Sequence, residues 1–313
     1  MSQVTSVTLL GPQRHKPIIK DVLEDFGIEG QLAVITGGWE EREAEVDDLD
    51  EHLGRPTLNL QLYQRYQAIM AKEKRFQQAL LDRNDRLRIA QTLYRRRLHQ
   101  ALESVRSLYG LTLPRMELLL AERSDALRAV SDLDHHYLTQ IRGIHQAFLD
   151  LWDPTLNPSI AETRAELKEE LQSCGGVLIA GGNVSVLLDQ LYLLKLRPLL
   201  GTLPIVAWSA GAMVLTDRIV LFHDSPPQGR GDPEIYDDGL RLAPRLVALP
   251  HAKHRLKLGD ERRVGILAGR FAPATCVALD EGNGVHWDGY EWRPIGGARA
   301  LVADGQVVEM VNQ

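Results

Sequence analysis

The stretch IVAWSAGAMVL, residues 205–215, decides the fold. Four apolar residues, Ile205 to Trp208, run without interruption into Ser209, and small residues then open a helical pattern. A continuous apolar run suits a parallel strand covered on both faces, whereas a strand with one wet face alternates. Strand, tight small-residue turn and helix together describe a nucleophile elbow, which presents a hydroxyl at the carboxyl end of a sheet. A serine also caps many helices, so the local pattern admits both a reactive and a structural Ser209. In the general form GxSxG the first glycine is here Ala207.

The same texture recurs on either side. Val4–Leu10, Leu32–Thr36 (LAVIT), Gly176–Ala180 (GVLIA) and Pro204–Trp208 read as buried strands, and Thr57–Leu62 as a further one. Ile18–Phe26, Ile160–Gln172 and Val184–Leu194 have helical spacing. Asp288-Gly289 and Asp304-Gly305 mark two β-hairpins. Residues 223–239 read as a polar loop rich in glycine and proline. The expectation is an α/β fold with a mostly parallel sheet flanked by helices.

Residues 63–150 differ. Good helix formers dominate, and Leu80, Leu87 and Tyr94 keep a seven-residue step that Leu98, Leu102 and Val105 continue. The reading is a helix over Leu62–Leu108, a turn at 110–114 and a second helix over Arg115–Leu151, an antiparallel hairpin inserted into an α/β domain of residues 1–62 and 151–313. The first arm would be roughly 70 Å long at 1.5 Å per residue, so it is expected to project or to pack on a partner. The whole hairpin, residues 63–150, holds 15 basic and 10 acidic residues, a net of +5, against 21 and 32 elsewhere. That asymmetry is too small to imply nucleic acid. Arg95-Arg96-Arg97 reads as a solvated run, with contact to an acidic partner or to the acidic α/β domain as the lesser alternative. Homodimerisation through the hairpin is expected, since an isologous contact is the commonest way to cover such an arm.

Composition narrows the class. The chain has 313 residues, 44% hydrophobic and 25% charged, with a net charge of −6, which excludes a disordered or fibrous protein. No apolar run reaches 18 residues, so no membrane span is expected. Two cysteines, Cys174 and Cys276, exclude a disulfide framework and a paired-cysteine metal site, and with the absence of a leader-like start they fit a cytoplasmic location. No nucleotide motif occurs, and neither metal nor organic cofactor is expected.

A reactive serine needs a base and an orienting acid. His251 follows the apolar stretch Leu246–Pro250, with His254 as its competitor; Asp224 and Glu281 are the acids at loop and strand ends. The glycines at 181–182 end a buried strand at a helix start, where backbone N–H groups face an oxyanion site. Taken in order, Gly181-Gly182-Asn183, WSAGA around Ser209, His-Asp-x-Pro at 223–226, Pro250-His251 and Glu281-Gly282-Asn283 resemble the dipeptidase E and cyanophycinase family of serine peptidases.

The resemblance covers residues 1–62 and 151–313 and implies a flavodoxin-like, class I glutamine amidotransferase-like form of the α/β fold, together with roles for single residues. Ser209 would be the nucleophile and His251 its base. The acid would be Asp224 by the dipeptidase branch or Glu281 by the cyanophycinase branch. Gly182 and Ala210, with Gly181 beside them, would supply the oxyanion N–H groups, and Asn183 would line the pocket. Arg255, with Arg262 and Arg263 nearby, is the candidate for reading an acidic substrate side chain. Ala252 stands where the family often has an aromatic residue. The implied activity is hydrolysis of a small peptide or isopeptide amide through an acyl-enzyme. The alternative is a catalytically inert scaffold that works through the hairpin.

Overall fold

The computed structural model describes residues 6–224 and 231–312. In chain order the strands are β1 Val7–Leu10, β2 Gln31–Ile35, β3 Leu58–Asn59, β4 Cys174–Ile179, β5 Ile205–Trp208, β6 Arg218–Leu221, β7 Glu234–Asp238, β8 Leu246–Pro250, β9 Thr275–Leu279, β10 Gly284–Trp287, β11 Trp292–Ile295, β12 Arg299–Leu301 and β13 Val307–Glu309. The α-helices are α1 Ile19–Asp25, α2 Asp47–Leu53, α3 Leu62–Lys72, α4 Lys74–Gly110, α5 Met116–Leu151, α6 Pro158–Gln172, α7 Val184–Leu193, α8 Arg197–Leu200, α9 Ala210–Leu215, α10 Ala252–Arg255 and α11 Glu261–Phe271.

The main sheet has the order β11-β10-β1-β5-β4-β2-β3. Its β1-β5-β4-β2-β3 portion is parallel, and β10 and β11 add an antiparallel edge. A second sheet runs β13-β12-β9-β8, with β8 and β9 parallel, and β6 and β7 form a separate antiparallel ribbon. Alternation along each strand divides the apolar residues between two layers. Leu32 and Val34 of β2 pack with Leu10, Val206 and α1 on one face. Ala33 and Ile35 face the other way into the larger core. The expected α/β architecture is the one observed.

Four expectations on individual elements change. Instead of a strand over Thr57–Leu62, β3 is two residues long, because Gln61 turns left-handed (φ 48°) and the Asn59 side chain accepts from the Gln61 N–H. The single helix expected over Leu62–Leu108 breaks at Glu73 (φ −101°, ψ 64°), where Ser159 donates a hydrogen bond of 2.8 Å to its carboxylate. The supposed loop 223–239 ends in β7; its residues 225–230, like residues 4 and 5 of the first expected strand, lie outside the described residues.

The fourth change is that the hairpin does not project. The faces of α4 and α5 that carry Leu80, Tyr94, Leu98, Leu102, Val105, Val130, Tyr137 and Ile141 share one apolar core with the sheet. Tyr94 and Tyr137 stack at 4.1 Å between centroids. Arg270 of α11 donates to both carboxylate oxygens of Asp134 on α5, at 2.7 and 2.8 Å, and to the Tyr94 hydroxyl at 2.8 Å. The Arg270 and Asp134 side chains are both buried, so the charges compensate each other where water does not reach. Cations of the hairpin also meet carboxylates of the α/β body: Arg83 with Asp189, Arg95 with Glu234, Arg106 with Asp232, and Arg142 with Asp238. The arm's positive charge is thus answered within the chain. Arg95 takes the acidic contact, while Arg96 and Arg97 stay exposed.

Candidate active site

Four parallel strands of the main sheet, and β8 of the second sheet, deliver loops to one cleft of about 960 Å³. Pro12 and Gln13 follow β1, Gly38 and Trp39 follow β2, Gly181 and Gly182 follow β4, Ser209 and Ala210 follow β5, and His251 follows β8; all line it. The loops after β1, β2, β4 and β5 mark the carboxyl end of the main sheet, where open α/β folds hold their ligands. Arg14, Arg42, Leu221, Phe222, His223 and Arg255 complete much of the wall.

Ser209 has φ 52° and ψ −119°, a conformation L-residues rarely adopt and one that costs about 1–3 kcal/mol. Its side chain makes no cap hydrogen bond to α9, so the capping account of this serine fails. The elbow is possible because its neighbours are small. A Cβ on Gly211 would stand 2.3 Å from the Ile179 carbonyl oxygen, so only glycine lets α9 approach β4 this closely. A Cβ on Gly181 would lie 2.8 Å from Ser209 Cβ and 3.5 Å from its Oγ, which places the glycine turn directly against the hydroxyl. Gly182 has φ 106° and faces the Gly38 carbonyl, where a Cβ would lie 2.2 Å away. The glycine turn is also tied to the segment after β2, since the Asn183 N–H donates to the Gly38 carbonyl at 2.7 Å.

Asn183 does not line the cleft. Its Oδ1 caps α7 by accepting from the N–H groups of Ser185 and Val186, and its Nδ2 donates to Glu40 at 3.0 Å. Asn is a preferred cap residue, and that demand outweighs the pocket role the resemblance implied.

His251 turns left-handed (φ 59°, ψ 30°) at the end of β8, and its N–H donates to the Leu279 carbonyl. Burial lowers the imidazole pKa below its ordinary value, and the positive field of Arg255 and His254 adds to this; Asp280 and Glu281 oppose it. The ring therefore rests neutral at neutral pH, the state in which a base accepts a proton. Among the described residues Ser209 Oγ and the ring share no hydrogen bond; empty sites are commonly looser than occupied ones.

The acids are placed differently. Asp224 is buried, its carboxylate accepting from the Lys257 N–H at 2.7 Å and from Arg263 through both Nε and Nη2. It faces a separate hollow with Leu102 and Arg106, not the cleft. The β8–β9 register pairs Pro250 with Leu279, so the next residues along, His251 and Asp280, emerge side by side. Asp280 accepts from the Lys253 N–H at 2.9 Å and from Arg299 at 3.3 Å. Glu281 is exposed and carries no hydrogen bond or ion pair among the described residues. Asp280 was overlooked in the sequence; the register that reveals it joins segments far apart in the chain.

Arg255 is half-buried without a carboxylate partner among the described residues, and burial alone lowers its pKa. Cys174 and Cys276 are both free and buried. Burial raises both thiol pKa values, that of Cys276 to about 12, which leaves neither a ready thiolate. No group of three metal-ligating side chains converges among the described residues.

Among curated proteins nothing matches this chain. Among solved structures, a peptidase from an acI-B1 Actinobacterium aligns with 14% identity and a TM-score of 0.46, over 99% of this chain and 98% of that one. The sequence model of peptidase family S51 matches residues 128–295, more than half of the chain, and spans α9 with Ser209, the glycine turn and His251. The chain belongs to peptidase family S51, the dipeptidase E and cyanophycinase family, and is a serine-type peptidase.

Proposed function

We propose that the cleft hydrolyses a peptide or isopeptide amide through an acyl-enzyme on Ser209. The observation that carries this is the strained, uncapped Ser209 in one cleft with His251 and the glycine turn. Ser209 Oγ attacks the amide carbon while His251 takes its proton. The oxyanion accepts hydrogen bonds from the N–H groups of Gly182 and Ala210. Collapse of the tetrahedral adduct breaks the C–N bond, and the leaving amine recovers the proton from His251. Water, deprotonated by the same ring, then cleaves the ester.

Of the two acids the resemblance offers, Glu281 is the one we assign to orient His251. Its field acts on the ring and its carboxylate is uncommitted, whereas Asp224 is held by Arg263. Arg255, an uncompensated cation in the cleft, would bind an acidic group on the substrate. The helical arm is assigned to a homodimer contact, supported by the outward apolar row Leu81, Ile89 and Leu93, which are 56%, 52% and 54% exposed. No helix among the described residues is long and apolar enough to cross a membrane, and a cytoplasmic site of action remains the assignment from the cysteine pattern.

The test is turnover of a panel of α- and β-linked aspartyl anilides and dipeptides by the wild type and by Ser209→Ala. Cleavage of at least one acidic substrate, abolished in Ser209→Ala with the fold intact, is expected. Equal turnover by the two proteins would reject the assignment.

A further inference from the structure

The hairpin supplies no group to the proposed chemistry, yet one of its ion pairs reaches the cleft in a single step. Leu221 ends β6, and Leu221, Phe222 and His223 all line the cleft. The partner of Leu221 in the ribbon is Glu234, the first residue of β7. Glu234 is clamped from α4 by Arg95, which donates to Oε2 through Nε and to Oε1 through Nη2 at 2.5 Å, and Gln91 donates to Oε1 at 3.3 Å.

The rest of β7 is held from the same side. The Tyr94 hydroxyl accepts from the Ile235 N–H at 3.3 Å, and the Tyr137 hydroxyl donates to the Tyr236 carbonyl at 3.0 Å. His145 bonds to Asp237 at 3.0 Å and Arg142 to Asp238 at 2.6 Å. A two-stranded ribbon is marginal in water without a surface to pack on. Here β6 and β7 belong to neither larger sheet; Ile219, Val220 and Ile235 pack into the core, and the carboxylates of β7 are gripped by α4 and α5.

We propose that Arg95 is a positioning residue of the peptidase: through Glu234 it fixes the register of β6 and with it the Leu221–His223 wall of the cleft. On this account the insertion is a brace for substrate binding, in addition to any contact with a second subunit. A small reagent that needs only Ser209, His251 and the glycine turn is indifferent to the wall. A ligand with an extended chain is not. The effect on catalysis rests on the proposed hydrolase reading; the placement of the wall does not.

The experiment compares wild type, Arg95→Ala and Arg95→Lys by two readouts. The first is the fluorine resonance of 4-fluorophenylalanine installed at position 222. A single sharp line is expected in the wild type, displaced or broadened in Arg95→Ala and recovered largely in Arg95→Lys. The second is the rate of inactivation by diisopropyl fluorophosphate and by a long-chain alkyl fluorophosphonate. Each forms a bond from Ser209 Oγ to phosphorus and expels fluoride. In Arg95→Ala the long-chain reagent should slow by about tenfold, the order expected from a small misplacement of a contacting wall, with the small reagent within about twofold of wild type. An unchanged fluorine line, or equal slowing of both reagents, would overturn the proposal. If the wild type resists both reagents, the hydrolase reading falls, and the fluorine line still decides whether Arg95 holds the wall. Should Arg95→Ala fail to fold, Glu234→Gln, which keeps the volume and removes the charge, carries the same expectations.

Discussion

Ser209 and His251 both have positive φ, at 52° and 59°, and both stand where a strand gives way to a helix. Strain of this kind persists only where surrounding packing enforces it. At Ser209 the enforcing contacts are glycines: Gly181 lies against its Cβ, and Gly211 brings α9 against the Ile179 carbonyl. The depressed pKa of His251 has a consequence for rate. The base is lost as pH falls through its folded value, so the acidic limb of kcat/KM should lie below the ordinary histidine range near 6.5. Arg255→Met removes one of the two positive neighbours and should move that limb to higher pH; a limb that stays put would show that Arg255 does not act on the ring. The two acids separate by a different measurement. Glu281→Gln should lower kcat by up to ~10⁴-fold at unchanged melting temperature, the scale set when an orienting carboxylate is lost. Asp224→Asn should instead cost stability, because it unbalances a buried pair with Arg263. Denaturant titration alongside turnover checks both, and the reverse pattern would return the triad role to Asp224.

At the scale of elements, helix α4 is the part most altered by its surroundings. Its heptad face is buried as its spacing predicts, but the helix lies on the α/β body. The Arg270–Asp134–Tyr94 cluster joins α4, α5 and α11 in the interior. Asp134→Ala strands the Arg270 charge and should destabilise the protein by about 3–5 kcal/mol in urea unfolding; a change under about 1 kcal/mol would mean the cluster is solvated. The strands β2, β4 and β5 were legible because parallel strands covered on both faces leave uninterrupted apolar runs. The two β-hairpins were legible from Asp-Gly turns, and the nucleophile elbow from small residues around Ser209. Docking of the hairpin was not legible. An arginine that will meet a carboxylate across the fold looks the same in sequence as one that faces water, and three of the four carboxylates concerned, Asp232, Glu234 and Asp238, sat in what read as loop. Asp280 escaped for a related reason: its proximity to His251 is a property of strand register, which the linear pattern does not contain. The capping role of Asn183 was readable in principle, since Asn directly before a helical run is a start signal.

For the whole molecule, a helical arm with net positive charge closes onto an acidic body, and the arm's outer face keeps apolar side chains in solvent. Leu111, Leu113, Met116, Leu118 and Leu120 add to this at the arm's tip. If the proposed dimer uses the α4 row, light scattering should give a mass twice that of the 35.1 kDa chain, and Ile89→Glu with Leu93→Glu should return it to the single-chain value without loss of melting temperature. A wild-type mass of one chain at micromolar concentration would remove the dimer from the account. The central claim is narrower: a hydroxyl at the β5–α9 bend is made nucleophilic by a histidine at the end of β8. The most direct measurement is the intact mass of the protein after diisopropyl fluorophosphate, with the adduct mapped by peptide digestion. The account predicts one phosphoryl group per chain, on Ser209, absent in Ser209→Ala and formed far more slowly in His251→Ala. An unmodified Ser209, or labelling that is indifferent to His251, would contradict it.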